Sequence, residues 1–197
     1  CEDSATRLLR MGEEPKRVFN VGAPQLDNIA EAKFWRGREL SSLGIKKLPD
    51  RYILLVQHPL MTESIDAGEQ IVKTLLAAEQ FQLPIFVIYP NSDLGSSDII
   101  AKINDVSLKV KVNVLQNVCR EDYLCLMASC SLLLGNSSSG VLEAPSFKTP
   151  VVNIGDRQRG RPQASNIINC NSDQSEIEAA IHKALFDKKF LQQCRSA

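Results

Sequence analysis

The segment Gly135-Asn136-Ser137-Ser138-Ser139-Gly140 sets three consecutive hydroxyls between two glycines. Small residues let a backbone approach an anion closely. A helix that follows would offer free N–H groups and its positive dipole end, and the hydroxyls add donors. That is chemistry for a phosphate. No lysine follows in the manner of a P-loop, so the pattern is a poor fit to an ATPase. A plain strand-to-helix turn with serine as N-cap accounts for the same residues equally well.

Residues that could work with this loop lie on both sides of it. Glu143 falls one turn into the following helix, where the dipole stabilises a carboxylate. There it could also accept from the two vicinal hydroxyls of a ribose. Arg157 and Arg161 straddle a glycine-containing turn and could neutralise a diphosphate, although lone arginines are commonly surface charges. His58, between an apolar run and Pro59, could contact a phosphate, assist a proton transfer, or simply pack at a strand end. Tyr123 could stack on a base or pack into the core. His182 reads as solvent-facing.

These residues need a frame. Short, nearly continuous apolar runs occur at 17–21, 52–56, 85–89, 112–115, 131–134 and 151–154, with 166–168 as a further candidate. Runs of this kind suit strands buried on both faces of a parallel sheet. Between them lie segments of helical period, such as Ile71, Leu75 and Leu76 between Ser64 and Phe81, and Leu124, Leu126, Met127 and Cys130 after Glu121. A C-terminal helix is expected over 175–194, capped by Ser172 or Ser175. The alternation predicts an α/β fold: a three-layer doubly wound parallel sheet of six or seven strands, Rossmann-like, with helices on both faces. Ligands on such sheets bind beyond the carboxyl ends of the strands, and the polar and glycine-rich segments gather there. Residues 34–50 read as a linker, and the first ten or so as a lone helix.

Composition narrows the function further. Lys+Arg and Asp+Glu both number 23 among 197 residues, so no global field favours nucleic acid or an anionic membrane, and any anion site must be local. No apolar run approaches the roughly 18 residues of a membrane-spanning helix. Six cysteines without a CxxC pair, and two histidines, argue against a bound metal. The cysteines read mostly as buried free thiols, which suits a cytoplasmic protein. The polar start at Cys1, without an initiator Met, reads as a piece of a longer chain.

Taken together, Gln57-His58-Pro59, Pro90-Asn91-Ser92-Asp93, the run from Gly135 to Ser146 and Gly155-Asp156-Arg157-Gln158-Arg159-Gly160-Arg161 resemble the hydrolysing UDP-N-acetylglucosamine 2-epimerases of the sialic and legionaminic acid branch. Met11 to Pro15 and Val21 to Asp27 are similar to the same family's interdomain segment. The resemblance implies the second domain of a GT-B-like fold, with residues 1–16 an interdomain helix and 17–197 the UDP-binding domain. It implies that Ser137 and Ser138 hold the diphosphate and Glu143 the ribose. His58 and Arg157 would face the phosphates or the sugar, with His58 the catalytic candidate, and Asn91 and Tyr123 would line the uracil pocket. It implies no cofactor, UDP and a UDP-amino-sugar as ligands, and a homo-oligomeric full-length enzyme as one assembly it allows. The family's acid and base carboxylates lie mainly in the first domain, so this chain alone is expected to be inactive. Two rivals share the sheet and the loop: the donor domain of a GT-B glycosyltransferase and a non-catalytic nucleotide-binding module.

Overall fold

Unbroken apolar sequence makes the centre of the molecule. A computed structural model describes residues 1–29, 40–60, 67–107 and 110–196. Six strands form one sheet: β1 Ile53–Val56, β2 Ile85–Ile88, β3 Val112–Leu115, β4 Leu132–Gly135, β5 Val151–Ile154 and β6 Ile167–Cys170. Their order is β3-β2-β1-β4-β5-β6 and every pairing is parallel. This is the doubly wound order in which the chain reverses direction between β1 and β4, and that point opens a crevice at the strands' carboxyl ends.

The helices are α1 Glu2–Arg10, α2 Ala67–Glu79, α3 Ser96–Ser107, α4 Arg120–Ser129, α5 Ser138–Leu142, α6 Ala144–Phe147, α7 Gln174–Phe186 and α8 Lys188–Arg195. All four residues of β1 are buried because its side chains alternate between two cores. Ile53 and Leu55 pack with Ile71 and Leu75 of α2 and Ile177 and Ile181 of α7. Leu54 and Val56 pack with Leu124 and Met127 of α4 and Phe147 of α6. Each fully buried aliphatic side chain contributes about 1.5–3 kcal/mol, so the two faces hold the strand ends in fixed register. Tyr52 ties α4 to β1 by donating its hydroxyl to the Leu126 carbonyl at 2.6 Å.

Three expectations need correcting. Residues 17–21 form no strand: Pro15–Arg17 is a turn of 3-10 helix, and Phe19 and Val21 are each 76% exposed. Both neighbours of β1 are already taken by β2 and β4, and Phe19 and Val21, without a sheet partner, stay in solvent. The candidate at 166–168 is the real sixth strand. The tail is two helices rather than one. Asp187 adopts extended backbone and caps α8 by accepting from the Phe190 N–H at 2.9 Å. Asp173, not a serine, caps α7, accepting from Ser175 and Glu176 N–H. Of the expected linker, 34–39 lies outside the described residues, as does Ser64; Leu40 and Ile45 form an antiparallel bridge. The α1 helix buries none of its residues.

Candidate functional site

Three loops meet where the strand order reverses. The first follows β1 and carries Gln57 and His58, the second follows β4 and carries Asn136 to Ser139, and the third follows β5 and carries Arg157 and Gln158. Asn136 joins them. Its side-chain oxygen accepts from the His58 N–H at 2.7 Å, and its amide NH2 donates to the His58 carbonyl at 2.9 Å. Its own carbonyl accepts from Gln158 Nε2 at 2.8 Å and from the Arg157 guanidinium at 3.3 Å. Gln158 has no exposed surface and Asn136 is buried, so this joint is part of the interior. Gln57, also buried, accepts from the Thr74 hydroxyl at 2.9 Å and anchors the first loop to α2.

Gly135 makes the crossing possible. Its φ is +125°, and a Cβ placed there would stand 2.2 Å from the Val56 carbonyl oxygen. Only glycine lets the β4 loop pass this close to β1.

Ser137 caps α5 by accepting from the Ser139 N–H at 3.4 Å. The Ser137 and Ser139 hydroxyls are 2.9 Å apart, and the Tyr123 hydroxyl meets that of Ser139. Ser138 is half-buried at the first helical position. Pro145, which lacks an N–H, divides the helical run into α5 and α6 and leaves Glu143 at the joint. The Glu143 side chain, 8% exposed, pairs with Arg120 at 2.7 Å, and Arg120 also donates to the Gln25 carbonyl at 2.8 Å.

His58 Nδ1 accepts from the Asn91 N–H at 3.1 Å. With Nδ1 an acceptor, the neutral ring carries its proton on Nε2. Burial, and then the positive charge of Arg157, push the imidazole down to about 4, with Asp93 opposing. His58 is thus a neutral donor at physiological pH. Asn91 itself is exposed and donates its amide to Asp93 at 2.5 Å.

The structure therefore brings together His58 and Arg157 through Asn136, sets Asn91 against the His58 ring, and joins Ser137 and Tyr123 through Ser139. Asn91 and Tyr123, expected to share one pocket, are attached to different loops. Asn136, Gln158 and Arg120 carry no role in the sequence reading. A polar residue directly after a buried strand is the signal that could have found Asn136, since several loop ends there need hydrogen-bond partners.

A cavity of about 470 Å³ continues this rim at the ends of β5 and β6, lined in part by Asp156, Arg159, Arg161 and Asn169. Another, of about 530 Å³, lies at the opposite end of the sheet beside Glu79, Pro84 and Lys111. It is the wider of the two, yet it sits at the strands' amino ends, away from where such sheets bind ligands. Among the described residues no three His, Cys, Asp or Glu side chains group to hold a metal, and no helix is long and apolar enough to cross a membrane. None of the six cysteines is in a disulfide; Cys125, Cys130 and Cys194 are buried, Cys170 is half-buried, and Cys1 and Cys119 are exposed.

Comparison with known proteins points to one family. The chain is 35% identical over 185 residues to the UDP-N,N'-diacetylbacillosamine 2-epimerase (hydrolyzing) of Legionella pneumophila, a match covering 93% of this chain and 49% of that protein. It is 34% identical over 192 residues to the GDP/UDP-N,N'-diacetylbacillosamine 2-epimerase (hydrolyzing) of Campylobacter jejuni, covering 94% and 48%. The chain thus spans about half the length of the curated relatives it matches. Its fold is similar to that of the UDP-GlcNAc 2-epimerase of Methanocaldococcus jannaschii, with a TM-score of 0.72 at 19% identity, covering 95% of this chain and 54% of that one. The model of the UDP-N-acetylglucosamine 2-epimerase family matches residues 1–197. A doubly wound sheet with a hydroxyl-lined loop at its switch point, matched to that family over its whole length, makes this chain a member of the UDP-N-acetylglucosamine 2-epimerase family.

Proposed function

We propose that the chain is the nucleotide-binding half of a cytoplasmic hydrolysing 2-epimerase acting on UDP-N-acetylglucosamine or a related UDP-2-acetamido sugar, with UDP held where the three loops meet. The observation that carries this reading is the joint at Asn136, which holds His58, Arg157 and the serine loop together in a rigid rim at the switch point. Two relatives named as hydrolysing enzymes on a diacetylated UDP-sugar support the substrate class.

In this reading the Ser137 and Ser138 hydroxyls and the Arg157 guanidinium take the diphosphate, a charge-assisted contact. Glu143, held by Arg120, accepts a ribose hydroxyl with its remaining oxygen. Asn91 and the Tyr123 ring flank the base. His58 donates its Nε2–H to a phosphate or sugar oxygen, which stabilises charge building on the departing UDP. The reaction eliminates UDP across C1–C2 of the sugar, and water then adds to the glycal to give an N-acetylmannosamine-type product. It needs a base for the C2 proton and an acid. A His58 whose Nδ1 is already an acceptor supplies neither at neutral pH, so both come from a first domain.

Two measurements test the proposal. Calorimetric titration of the 197-residue chain is expected to show UDP binding, weakened because half of the cleft is missing; a chain that ignores UDP refutes the assignment. The same chain incubated with UDP-N-acetylglucosamine is expected to release no UDP above a mock preparation. For an enzyme that carries this half, the product separates the rival chemistries: a free 2-acetamido sugar supports epimerisation with hydrolysis, and a glycosylated acceptor supports a transferase.

A further inference from the structure

We propose that Tyr123 is a positioning residue whose phenol hydroxyl, acting through Ser139, aims the Ser137 hydroxyl at a diphosphate. This rests on the UDP reading above and assigns Tyr123 a task that its ring alone does not perform.

Each hydroxyl has one O–H to give and two lone pairs to receive with. Tyr123 meets Ser139 at hydroxyl contact, and Ser139 lies 2.9 Å from the Ser137 hydroxyl. A phenol is a stronger donor and a weaker acceptor than an alkyl hydroxyl, so Tyr123 gives its proton to Ser139. The Ser139 O–H then turns to Ser137. Ser137 already receives the Ser139 backbone N–H at 3.4 Å. The Tyr123 phenol is also within hydrogen-bond reach of the Ser137 hydroxyl, so Ser137 receives from this cluster and its own O–H is the one spare for a ligand. Hydrogen bonds in series polarise one another, and a buried donor at the head of the chain strengthens the last one. Burial holds the Tyr123 phenol up at about 12, so it stays a donor at all physiological pH.

The phenylalanine variant separates the hydroxyl from the ring. Tyr123→Phe keeps any stacking face and removes only the head of the chain. Calorimetric titration of Tyr123→Phe, Ser139→Ala, the double variant and Ser137→Ala with UDP and with uridine decides the matter. Tyr123→Phe is expected to weaken UDP binding roughly 3- to 10-fold, the range of a single lost hydrogen bond, and to leave uridine within about twofold of the unaltered chain. The double variant is expected to match Ser139→Ala alone, because both changes break one chain. If Tyr123→Phe binds UDP normally while Ser137→Ala weakens it, this proposal fails and the UDP reading stands. If Tyr123→Phe weakens uridine as much as UDP, the residue acts at the base and the proposal fails. If Ser137→Ala is inert, this proposal fails while UDP binding stands, and if the unaltered chain binds no UDP, both fall together.

Discussion

The side chain of Asn136 grips the backbone of His58 from both ends, accepting from its N–H at 2.7 Å and donating to its carbonyl at 2.9 Å. A primary amide is the only side-chain group that makes this pair of contacts as a uniform donor–acceptor match. Asn136→Asp keeps the acceptor but sets a second carboxylate oxygen against the His58 carbonyl. Asn136→Ala leaves both backbone groups without that partner. Asn136→Ala is expected to cost about 2–3 kcal/mol of stability, from two lost hydrogen bonds and the desolvated groups left behind, and Asn136→Asp a similar amount, from one lost hydrogen bond and the repulsion between its carboxylate and the His58 carbonyl. Urea denaturation measures it, and an unchanged midpoint for Asn136→Asp would show that the grip contributes nothing.

Gly135 is the second structural requirement of the site. An alanine there would drive its Cβ to 2.2 Å from the Val56 carbonyl oxygen at a φ of +125°. Strain and overpacking together are expected to cost on the order of 3 kcal/mol or more. Gly135→Ala should therefore be poorly soluble or melt well below the parent chain. A variant that melts within a degree or two of the parent would mean that the β4 loop has room to move away from β1.

The sheet was legible because its strands are made of residues with no other use. Ile53-Leu54-Leu55-Val56 has no polar position to set outward, so it belongs between two covering layers. Phe19 and Val21 carry the same residue types and misled, because period and apolarity do not reveal whether an edge is free to receive a strand. At the site, the phosphate-type residues were legible from chemistry alone, whereas Arg120 was not. Its link to Glu143 joins residues 23 positions apart through the packing of α4 beside α6, and no local pattern encodes that. Asn136 stood in plain view, yet its task depends on three loops meeting in space.

Arg157 and Glu143 should respond differently to ligand. Only UDP carries the diphosphate, so Arg157→Ala is expected to weaken UDP by about 1–3 kcal/mol and uridine little. Both ligands carry the ribose, so Glu143→Gln is expected to weaken each by a similar, smaller amount, since an amide oxygen still accepts one hydroxyl. Arg120→Ala should follow the Glu143 pattern, because it frees the carboxylate it now holds at 2.7 Å. Titration of the three variants with the two ligands is the measurement. Equal loss of uridine and UDP in Arg157→Ala would be incompatible with this division of labour.

His58 gives the site a pH signature with a definite sign. Its ordinary value of 6.5 falls to about 4 in the folded chain, through burial first and the charge of Arg157 second. Between those values the unfolded chain binds a proton that the folded chain refuses, so stability must fall as pH falls. The contribution is full above about pH 6.5, declines through the interval, and is exhausted below about pH 4. Replacing His58 with Gln should flatten that part of the stability profile. The imidazole protons of His58, followed by NMR, are expected to hold still from pH 8 down to about pH 5 and to move only near pH 4. Arg157→Ala removes one of the two lowering influences and should raise the midpoint without restoring it to 6.5, because burial remains. A midpoint near 6.5 in the unaltered chain would mean that the ring is hydrated and that Nδ1 is not fixed by the Asn91 N–H. The assignment of Nε2–H as a donor toward the nucleotide would then lose its basis.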